Sequence, residues 1–356
     1  MPIADPGAVP SPATRRLPRL SLGRYTGAAV GFVLVFAFLA VTEPIFLTWD
    51  NWQNIIRTQS ATLAIALGMT VVVISGGIDL SAGSIAAAAG MMLGLTVQAG
   101  WSWPMGVLAA IALGVAMGGV NGLLIGRLRV PFFVVTLGTM SVYQSEALLS
   151  SGGDTVSLFE TASFMSLADL VNGNVGPIPT VGLIVMAMAV AMSLLLRRST
   201  FGRSVFAVGS NEDAARLNGL RVPRTVLGVY VISGVAAAIG GIVLTGRLTS
   251  ASPVADPNLV LAVIAGVLIG GTAFTGGDGG IFGTVLGVAF LGVIQNGLQL
   301  SDISSFWQGT VSGLILIGAV GLGVLGGHHR LRSTLQRLRD GVVREPRSAG
   351  DPAQEA

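Results

Sequence analysis

The chain contains no cysteine, and all 20 of its basic residues are arginine, so that lysine is absent as well. The absence of cysteine excludes disulfide bonds, thiolate metal sites and a cysteine nucleophile. The absence of lysine excludes a Walker A phosphate loop, in which a lysine contacts the nucleotide, and Schiff-base chemistry. If ATP drives this protein, a separate subunit must hydrolyse it.

Charge is also scarce. Only 10% of the 356 residues are charged and 52% are hydrophobic, whereas a soluble domain carries roughly 25% charged residues. The composition therefore indicates a polytopic membrane protein. The pI of about 10.1 comes from arginine in loops and tail, which indicates topology and not a nucleic-acid partner. His328 and His329 lie in that basic tail, where a solvated surface is favoured over a metal site, and no cofactor is expected.

One polar stretch interrupts an otherwise apolar sequence. Residues 76–84 read Gly-Gly-Ile-Asp-Leu-Ser-Ala-Gly-Ser, between apolar runs at 61–74 and 85–97. A carboxylate is costly at membrane depth, and lipid cannot satisfy the backbone groups that such a break leaves open. The break must therefore lie within protein or line a water-filled cavity, which is typical of solute transport. The candidate break or translocation residues here are Gly76, Gly77, Asp79, Ser81 and Gly83.

A second glycine-rich break occupies residues 266–280 and contains one acid, Asp278. Close packing of small residues explains most of the 51 glycines, but it does not explain their clustering around the two aspartates. For Asp79 and Asp278 two interpretations stay open. Each carboxylate caps the N-terminus of the following helix, which is favoured, or it contacts the solute directly.

Further polar side chains lie within the apolar spans. Asn121 and Asn296 are candidates for hydrogen bonding to a neutral solute such as a sugar, although each could instead bond a neighbouring helix. The others are Thr136, Thr139, Ser141, Gln144, Glu146, Gln295 and Gln299. No pair of carboxylates shares a span with catalytic spacing, so no enzymatic activity is expected.

The hydropathy pattern predicts ten spans, at about 26–42, 58–75, 83–98, 104–126, 131–150, 179–197, 224–246, 258–272, 280–299 and 306–326. With a cytoplasmic N-terminus, 18 of the 20 arginines face the cytoplasm, as the positive-inside rule requires. Only Arg57 and Arg247 are then external. The predicted fold is an all-α polytopic membrane protein with about ten transmembrane helices and broken or re-entrant segments. Eight spans plus re-entrant pieces is the alternative.

Outside the spans, residues 1–24 form a cytoplasmic extension, 25–327 the membrane domain and 328–356 an arginine-rich cytoplasmic tail. The longest external loop, 151–178, is long enough to receive an external partner. The cytoplasmic loop 199–223 contains a short helix that Asn211 begins and Gly219 ends. A helix lying along the membrane in this way suits docking into a groove on another protein. A solvated loop helix is the alternative.

Several of these segments resemble one family. Residues 68–84 closely resemble the hallmark segment of the ribose-type permeases of bacterial ATP-binding-cassette (ABC) importers, and Asn121-Gly122 followed by 130–140 resembles the next family segment. Asp213-Ala214-Ala215 with Gly219 is similar to the Glu-Ala-Ala-x-x-x-Gly coupling loop of importer permeases, with Asp in place of Glu. The resemblance extends from about residue 25 to 327.

The resemblance implies a permease subunit in the bacterial cytoplasmic (inner) membrane, with both termini cytoplasmic. Two permease subunits, identical or close paralogues, form the translocation pathway in the lipid bilayer, and an external binding protein delivers a monosaccharide. Cytoplasmic ABC ATPase subunits dock on the coupling loop. The docking residues implied are Asn211, Glu212, Asp213, Ala214, Ala215, Arg216 and Gly219.

Alternative functions remain open at this point. An ABC permease for another small solute, such as a branched-chain amino acid, a nucleoside or a signalling sugar, is the nearest one. A stand-alone secondary transporter would use Asp79 or Asp278 as a proton or sodium site. A passive channel or an assembly scaffold is the third class.

Overall fold

The computed structural model describes residues 26–304 and, beyond them, 307, 309–311, 313, 314, 317 and 318. Over these residues the chain is mostly helical, with four two-residue strands. The helices are α1 (Thr26–Thr42), α2 (Trp49–Ile74), α3 (Ala82–Gln98), α4 (Trp103–Gly126), α5 (Phe132–Ser151), α6 (Ala162–Asn172), α7 (Thr180–Arg198), α8 (Thr200–Ser210), α9 (Glu212–Leu217), α10 (Val222–Leu248), α11 (Pro257–Ile269) and α12 (Ile281–Leu300). The strands are β1 (Val156–Ser157), β2 (Asn174–Val175), β3 (Ile178–Pro179) and β4 (Ser250–Ala251).

A helix overlaps each of the first nine predicted spans. Among the described residues, however, only six helices are long and apolar enough to cross a membrane: α2, α4, α5, α7, α10 and α12. The number ten is therefore not confirmed. The shorter apolar helices are α1 and α3, with 17 residues each, and α11, with 13. Span 306–326 lies largely outside the described residues, as do the extension 1–24 and the tail 328–356.

Helix α10 lies at the centre of the fold and packs against α2, α3 and α4. On α4, glycine recurs at every fourth position, at Gly114, Gly118, Gly122 and Gly126, and this stripe meets the backbone of α10. A Cβ added at Gly118 would lie 2.3 Å from the carbonyl oxygen of Tyr230. Small residues at such spacing let two membrane helices approach until their backbones touch.

The two ends of α2 contact different connecting segments. At its start, the indole Nε1 of Trp49 donates to the carbonyl of Pro177 (2.9 Å), and Arg57 donates to Asn174 Oδ1 (2.9 Å). At its end, the carbonyl of Ile74 accepts from the Gly277 N–H at 2.8 Å and also lies against Gly209 of the loop 199–223. The loops 151–178 and 199–223, which the sequence assigns to opposite sides of the membrane, thus lie at opposite ends of this helix.

Two helices in the connecting segments were not predicted. In the loop 151–178, α6 buries one face through Phe164, Leu167, Ala168 and Val171. In the loop 199–223, α8 precedes the predicted short helix and begins at Ser199, whose hydroxyl accepts from the Gly202 N–H at 2.9 Å. Both helices have only 11 residues, so they are too short to register as membrane spans in the hydropathy pattern.

The glycine stripe of α4 allows a test with adjacent positions. Gly118→Ala should lower stability by about 1–3 kcal/mol, because its methyl group has no room against the α10 backbone. Gly119→Ala is the matched control, since its Cβ would have only Val231 within 4 Å, at 3.9 Å. Thermal unfolding of the detergent-solubilised protein measures both. Equal melting temperatures for the two variants would contradict the close α4–α10 contact.

Candidate functional site

The first break is organised around the carboxylate of Asp79. Helix α2 ends at Ile74, and Gly76 turns the chain with a φ of 88°. Asp79 is 0% exposed. Its Oδ1 accepts from the N–H of Ser81 (3.1 Å) and from the Ser81 hydroxyl, and its Oδ2 accepts from the Ser233 hydroxyl on α10 (2.8 Å). The carboxylate thus caps the turn that leads into α3, whose own N-cap residue is Ser81.

A second layer of polar groups ties this turn to α4 and α10. The amide nitrogen of Asn121 on α4 donates to the Ser81 hydroxyl at 2.8 Å. Within the described part of the chain, the Asn121 Oδ1 and the Tyr230 hydroxyl are buried without a hydrogen-bond partner. Gly77 lies against that hydroxyl, since its Cβ would be 2.7 Å away. Asp79, Ser81 and Asn121 therefore form one buried cluster at the break.

The second break packs directly on the first. Gly277 makes the hydrogen bond to Ile74 described above, and Gly276 has a φ of 79°. A Cβ added at Gly276 would lie 2.9 Å from the Cα of Gly76, so the two backbones are in contact. Gly209, near the end of α8, completes the contact. A Cβ at Gly209 would lie 1.8 Å from the Ile74 carbonyl oxygen and 2.7 Å from the Gly277 nitrogen. The two breaks and the loop 199–223 therefore meet backbone to backbone.

Asp278 occupies a different position from Asp79. The N-cap of α12 is Gly280, which has no side chain, so Asp278 is not the N-cap residue itself. Its carbonyl accepts from the Ala273 N–H at 2.9 Å. This bond closes the loop of the second break on itself.

Asn296 belongs to the contact between α2 and α12. Its side chain and that of Asn51 exchange two hydrogen bonds, at 2.7 and 3.0 Å, in a buried position. Gln59 donates to Gln295 (2.9 Å), and the Thr70 and Thr284 hydroxyls bond at 2.6 Å. Polar pairs therefore join these two helices along their length, and the structure does not bring Asn296 to the Asp79 cluster.

A cavity of about 600 Å³ lies beside the first break. It is bordered by the first turn of α3, the middle of α5, and the start of α11 with the residues just before it. Its lining is Leu80, Gly83, Ser84, Leu137, Met140, Ser141, Gln144, Ser145, Ala255, Asp256, Val260 and Leu261. Only Gly83 among the eight predicted break or translocation residues lines it. The apolar Met140 and the loop residue Asp256 also line the cavity, but the sequence did not predict them as site residues. No local sequence pattern indicates that α5 and α11 lie together.

The extended segment before α11 runs along α3 towards this cavity. It starts in β4, which pairs antiparallel with β1 of the loop 151–178, and Ala251 lies against Gly94. Further on, Ala255 and Val260 lie against Gly83 in the first turn of α3. The Gln144 amide holds the segment from α5, donating to the Pro253 carbonyl and accepting from the Ala255 N–H at 3.2 Å.

Helix α9 has the predicted boundaries. Asn211 caps it by accepting from the Ala214 N–H at 2.9 Å, and Gly219 follows its end with a φ of 80°. Ala215 is buried with Val208 and Val222. The other predicted docking residues are exposed, namely Asn211, Glu212, Asp213, Ala214, Arg216 and Gly219. The neighbouring Leu217, an apolar residue, is 89% exposed.

Next to α9 lies a cavity of about 460 Å³. It separates α9 from the connection between α4 and α5, and its charged lining consists of Arg129, Glu212, Asp213 and Arg216. Glu212 and Arg216 also form an ion pair one helical turn apart. Charged side chains thus share this cavity with apolar residues such as Ile125, Val130 and Val226.

Apolar spans, two interlocked helix breaks and a cavity beside them define a helical membrane transport protein. Residues 51–320 match the family described as branched-chain amino acid transport system / permease component. The chain belongs to this family of ABC importer permeases, the non-enzymatic membrane components of such systems.

Curated relatives match most of the chain. The ribose import permease protein RbsC of Bacillus subtilis is 33% identical over 83% of this chain and 91% of its own length. RbsC of Escherichia coli K12 is 34% identical over 82% and 91%. The L-arabinose transport system permease protein AraH of Escherichia coli K12 is 36% identical over 83% and 88%. No solved structure matches the chain.

The buried Asp79 cluster gives a stability prediction. Asp79→Ala should cost about 1–3 kcal/mol, because it leaves the Ser81 and Ser233 donors without an acceptor. Asp79→Asn should retain most of that stability, since its oxygen still accepts from Ser81 and its NH₂ can donate to the Ser233 hydroxyl. Thermal unfolding compares the two variants. A melting temperature of Asp79→Ala at or above that of Asp79→Asn would contradict the capping role.

Proposed function

We propose that this protein is the membrane permease subunit of an ABC importer for a monosaccharide. Two kinds of observation support the proposal. The curated relatives are named as ribose and L-arabinose permeases and match more than four fifths of the chain. The observation that carries the mechanism is the contact of Gly209, at the end of α8, with the backbone of both helix breaks.

In the proposed mechanism, the ATPase acts on the membrane domain through the loop 199–223. Helix α9 presents Asp213, Arg216 and Leu217 to a groove on the ATPase. Ala215 acts from within, because its packing on Val208 and Val222 fixes α9 to α8 and α10. A displacement of α9 moves α8, and the end of α8 has no space to move without displacing the two breaks. Closure of the ATPase pair thereby changes the pathway.

The membrane topology in this proposal has ten crossings, with the N- and C-termini in the cytoplasm of a bacterial cell. The positions of the two loops at opposite ends of α2 support this arrangement. So does Arg57, one of the two external arginines, since it bonds to Asn174 of the loop assigned to the outside.

An external binding protein would dock on the loop 151–178. Its acidic residues Asp154, Glu160 and Asp169 are all exposed, as a recognition surface requires. A second permease subunit would cover α5, because Glu146 on this apolar helix is exposed and a carboxylate facing lipid is costly. In the assembled pair, Glu146 faces the second subunit or the water of the pathway.

Reconstitution tests the whole proposal. The permease, its genomically adjacent ATPase and binding protein are placed in liposomes, and uptake of radiolabelled D-ribose, L-arabinose and L-leucine is followed. ATP-dependent uptake of a sugar is expected, with none in the absence of the ATPase. Leucine uptake without sugar uptake would assign an amino-acid substrate. Uptake driven by an ion gradient without ATP would replace the proposal with a secondary transporter.

The docking role of α9 gives a more local prediction. Asp213→Arg reverses an exposed charge beside Arg129 and Arg216, so the complex with the ATPase should weaken at least tenfold while the permease stays inserted. Co-purification and ATP-driven uptake measure this effect. Asp50→Arg is the control, because Asp50 lies in the first turn of α2, at the end of that helix away from the loop 199–223. This variant should still bind the ATPase. Normal uptake by Asp213→Arg would remove α9 from the coupling mechanism.

Because the chain has no cysteine, topology can be tested with single substitutions. Ser210→Cys on α8 and Asp169→Cys on α6 are both at exposed positions. In intact right-side-out cells, a membrane-impermeant maleimide should label only Asp169→Cys, and Ser210→Cys should label only after permeabilisation. The reverse pattern would invert the proposed orientation.

A further inference from the structure

The cavity of about 600 Å³ between α3, α5 and α11 has a lining that selects one class of solute. Its volume falls within the range of roughly 300–1,000 Å³ that small-molecule sites occupy. Its lining combines the apolar side chains of Leu80, Met140, Val260 and Leu261 with polar groups from three different elements. The solutes that can bind are determined by the hydrogen-bond donors and acceptors of these polar groups that are not already used within the protein.

Each serine hydroxyl of the cavity already donates its hydrogen bond to a backbone carbonyl of the protein. Ser145 donates to the Ser141 carbonyl (2.9 Å), Ser84 donates to the Ser81 carbonyl (2.9 Å), and Ser141 makes a longer bond to the Leu137 carbonyl (3.4 Å). A hydroxyl that donates in this way still has lone pairs with which to accept. To a solute, these three side chains therefore offer acceptors.

The remaining polar groups extend this pattern. Asp256 accepts from the Asn258 N–H through Oδ1 at 2.8 Å, and its carboxylate has further acceptor sites. The Gln144 amide is occupied by Pro253 and Ala255 on both its nitrogen and its oxygen, leaving one N–H. Among the described residues that line the cavity there is no arginine or histidine. The side chains thus offer many acceptors and almost no donor.

We propose that this cavity is a binding site for a neutral polyhydroxylated solute, with Ser84, Ser141, Ser145 and Asp256 accepting from its hydroxyl groups. The assignment rests on the proposed function and gives it a site. Each sugar hydroxyl brings a proton to donate, whereas the C–H faces of the ring pack on Leu80, Met140 and Val260. A carboxylate or phosphate brings only acceptors and would face the Asp256 charge.

The same chemistry separates sugars from amino acids within this permease family. The ammonium group of a zwitterionic amino acid would find Asp256, but its carboxylate would find no cationic side chain. An unpaired charge in a partly desolvated site is unfavourable. Gln144 has a positioning role, because its two bonds hold the segment that carries Asp256 against α5.

Single cysteines test occupancy of the cavity directly. In the liposome-reconstituted permease–ATPase complex, Ser145→Cys is labelled with a small methanethiosulfonate reagent, with and without 100 mM D-ribose, L-arabinose or L-leucine. At least one sugar should slow labelling about fivefold or more, while leucine has no effect. Ser102→Cys, which lies before α4 and outside the cavity, is the control and should label at an unchanged rate.

Uptake by the complete transporter forms the second arm. Ser141→Ala/Ser145→Ala should reduce sugar uptake at least fivefold at unchanged complex yield. Thr139→Val removes a hydroxyl that bonds to its own helix on α5 but does not line the cavity, and it should not reduce uptake. If the wild-type transporter carries sugar, two results would each overturn the proposed site while the proposed function stands. One is that neither D-ribose nor L-arabinose slows labelling of Ser145→Cys, and the other is that the double variant takes up sugar normally. If wild type transports no sugar, the proposed function itself fails.

Discussion

The absence of side-chain volume at Gly209 is the constraint on which the arrangement of the breaks depends. Three stretches of backbone, from the end of α2, the end of α8 and the second break, occupy the same small space. A single methyl group at Gly209 would collide with the Ile74 carbonyl oxygen. Because these contacts involve backbone, the positions of α2, α8 and the loop before α12 are fixed relative to one another. The glycine stripe of α4 and its contact with α10 extend the same principle through the helix bundle.

A charged group inside such a bundle is tolerated only when its hydrogen bonds are complete. Asp79 meets this condition through three donors from the turn and from α10, and Asn121 fastens the turn to α4. The cluster therefore holds the broken helix in one geometry. It leaves recognition of the solute to other residues, which lie in the neighbouring cavity and carry no buried charge of their own.

Local rules were enough for the features that the sequence predicted well. Asn211 and Gly219 mark the ends of α9 through short-range capping. Asn296 was different, since its partner Asn51 lies 245 residues away and no local pattern distinguishes a solute contact from a helix–helix bond. The cavity escaped prediction for a related reason. Met140 and Asp256 have ordinary neighbours in sequence, and only the extended path of the segment before α11 brings them together.

That extended segment also has a consequence for regulation. One end pairs with β1 in the loop 151–178, the proposed docking site of the binding protein, and the other carries Asp256 at the proposed solute site. In this proposal, a solute and a docked protein act on the same few residues. Coupling between two binding events is reciprocal in free energy. If docking outside changes the affinity of the cavity by some factor, an occupied cavity changes the affinity for the docked protein by the same factor. If this coupling is negative, the short β1–β4 pairing would release the docked binding protein once the solute occupies the cavity.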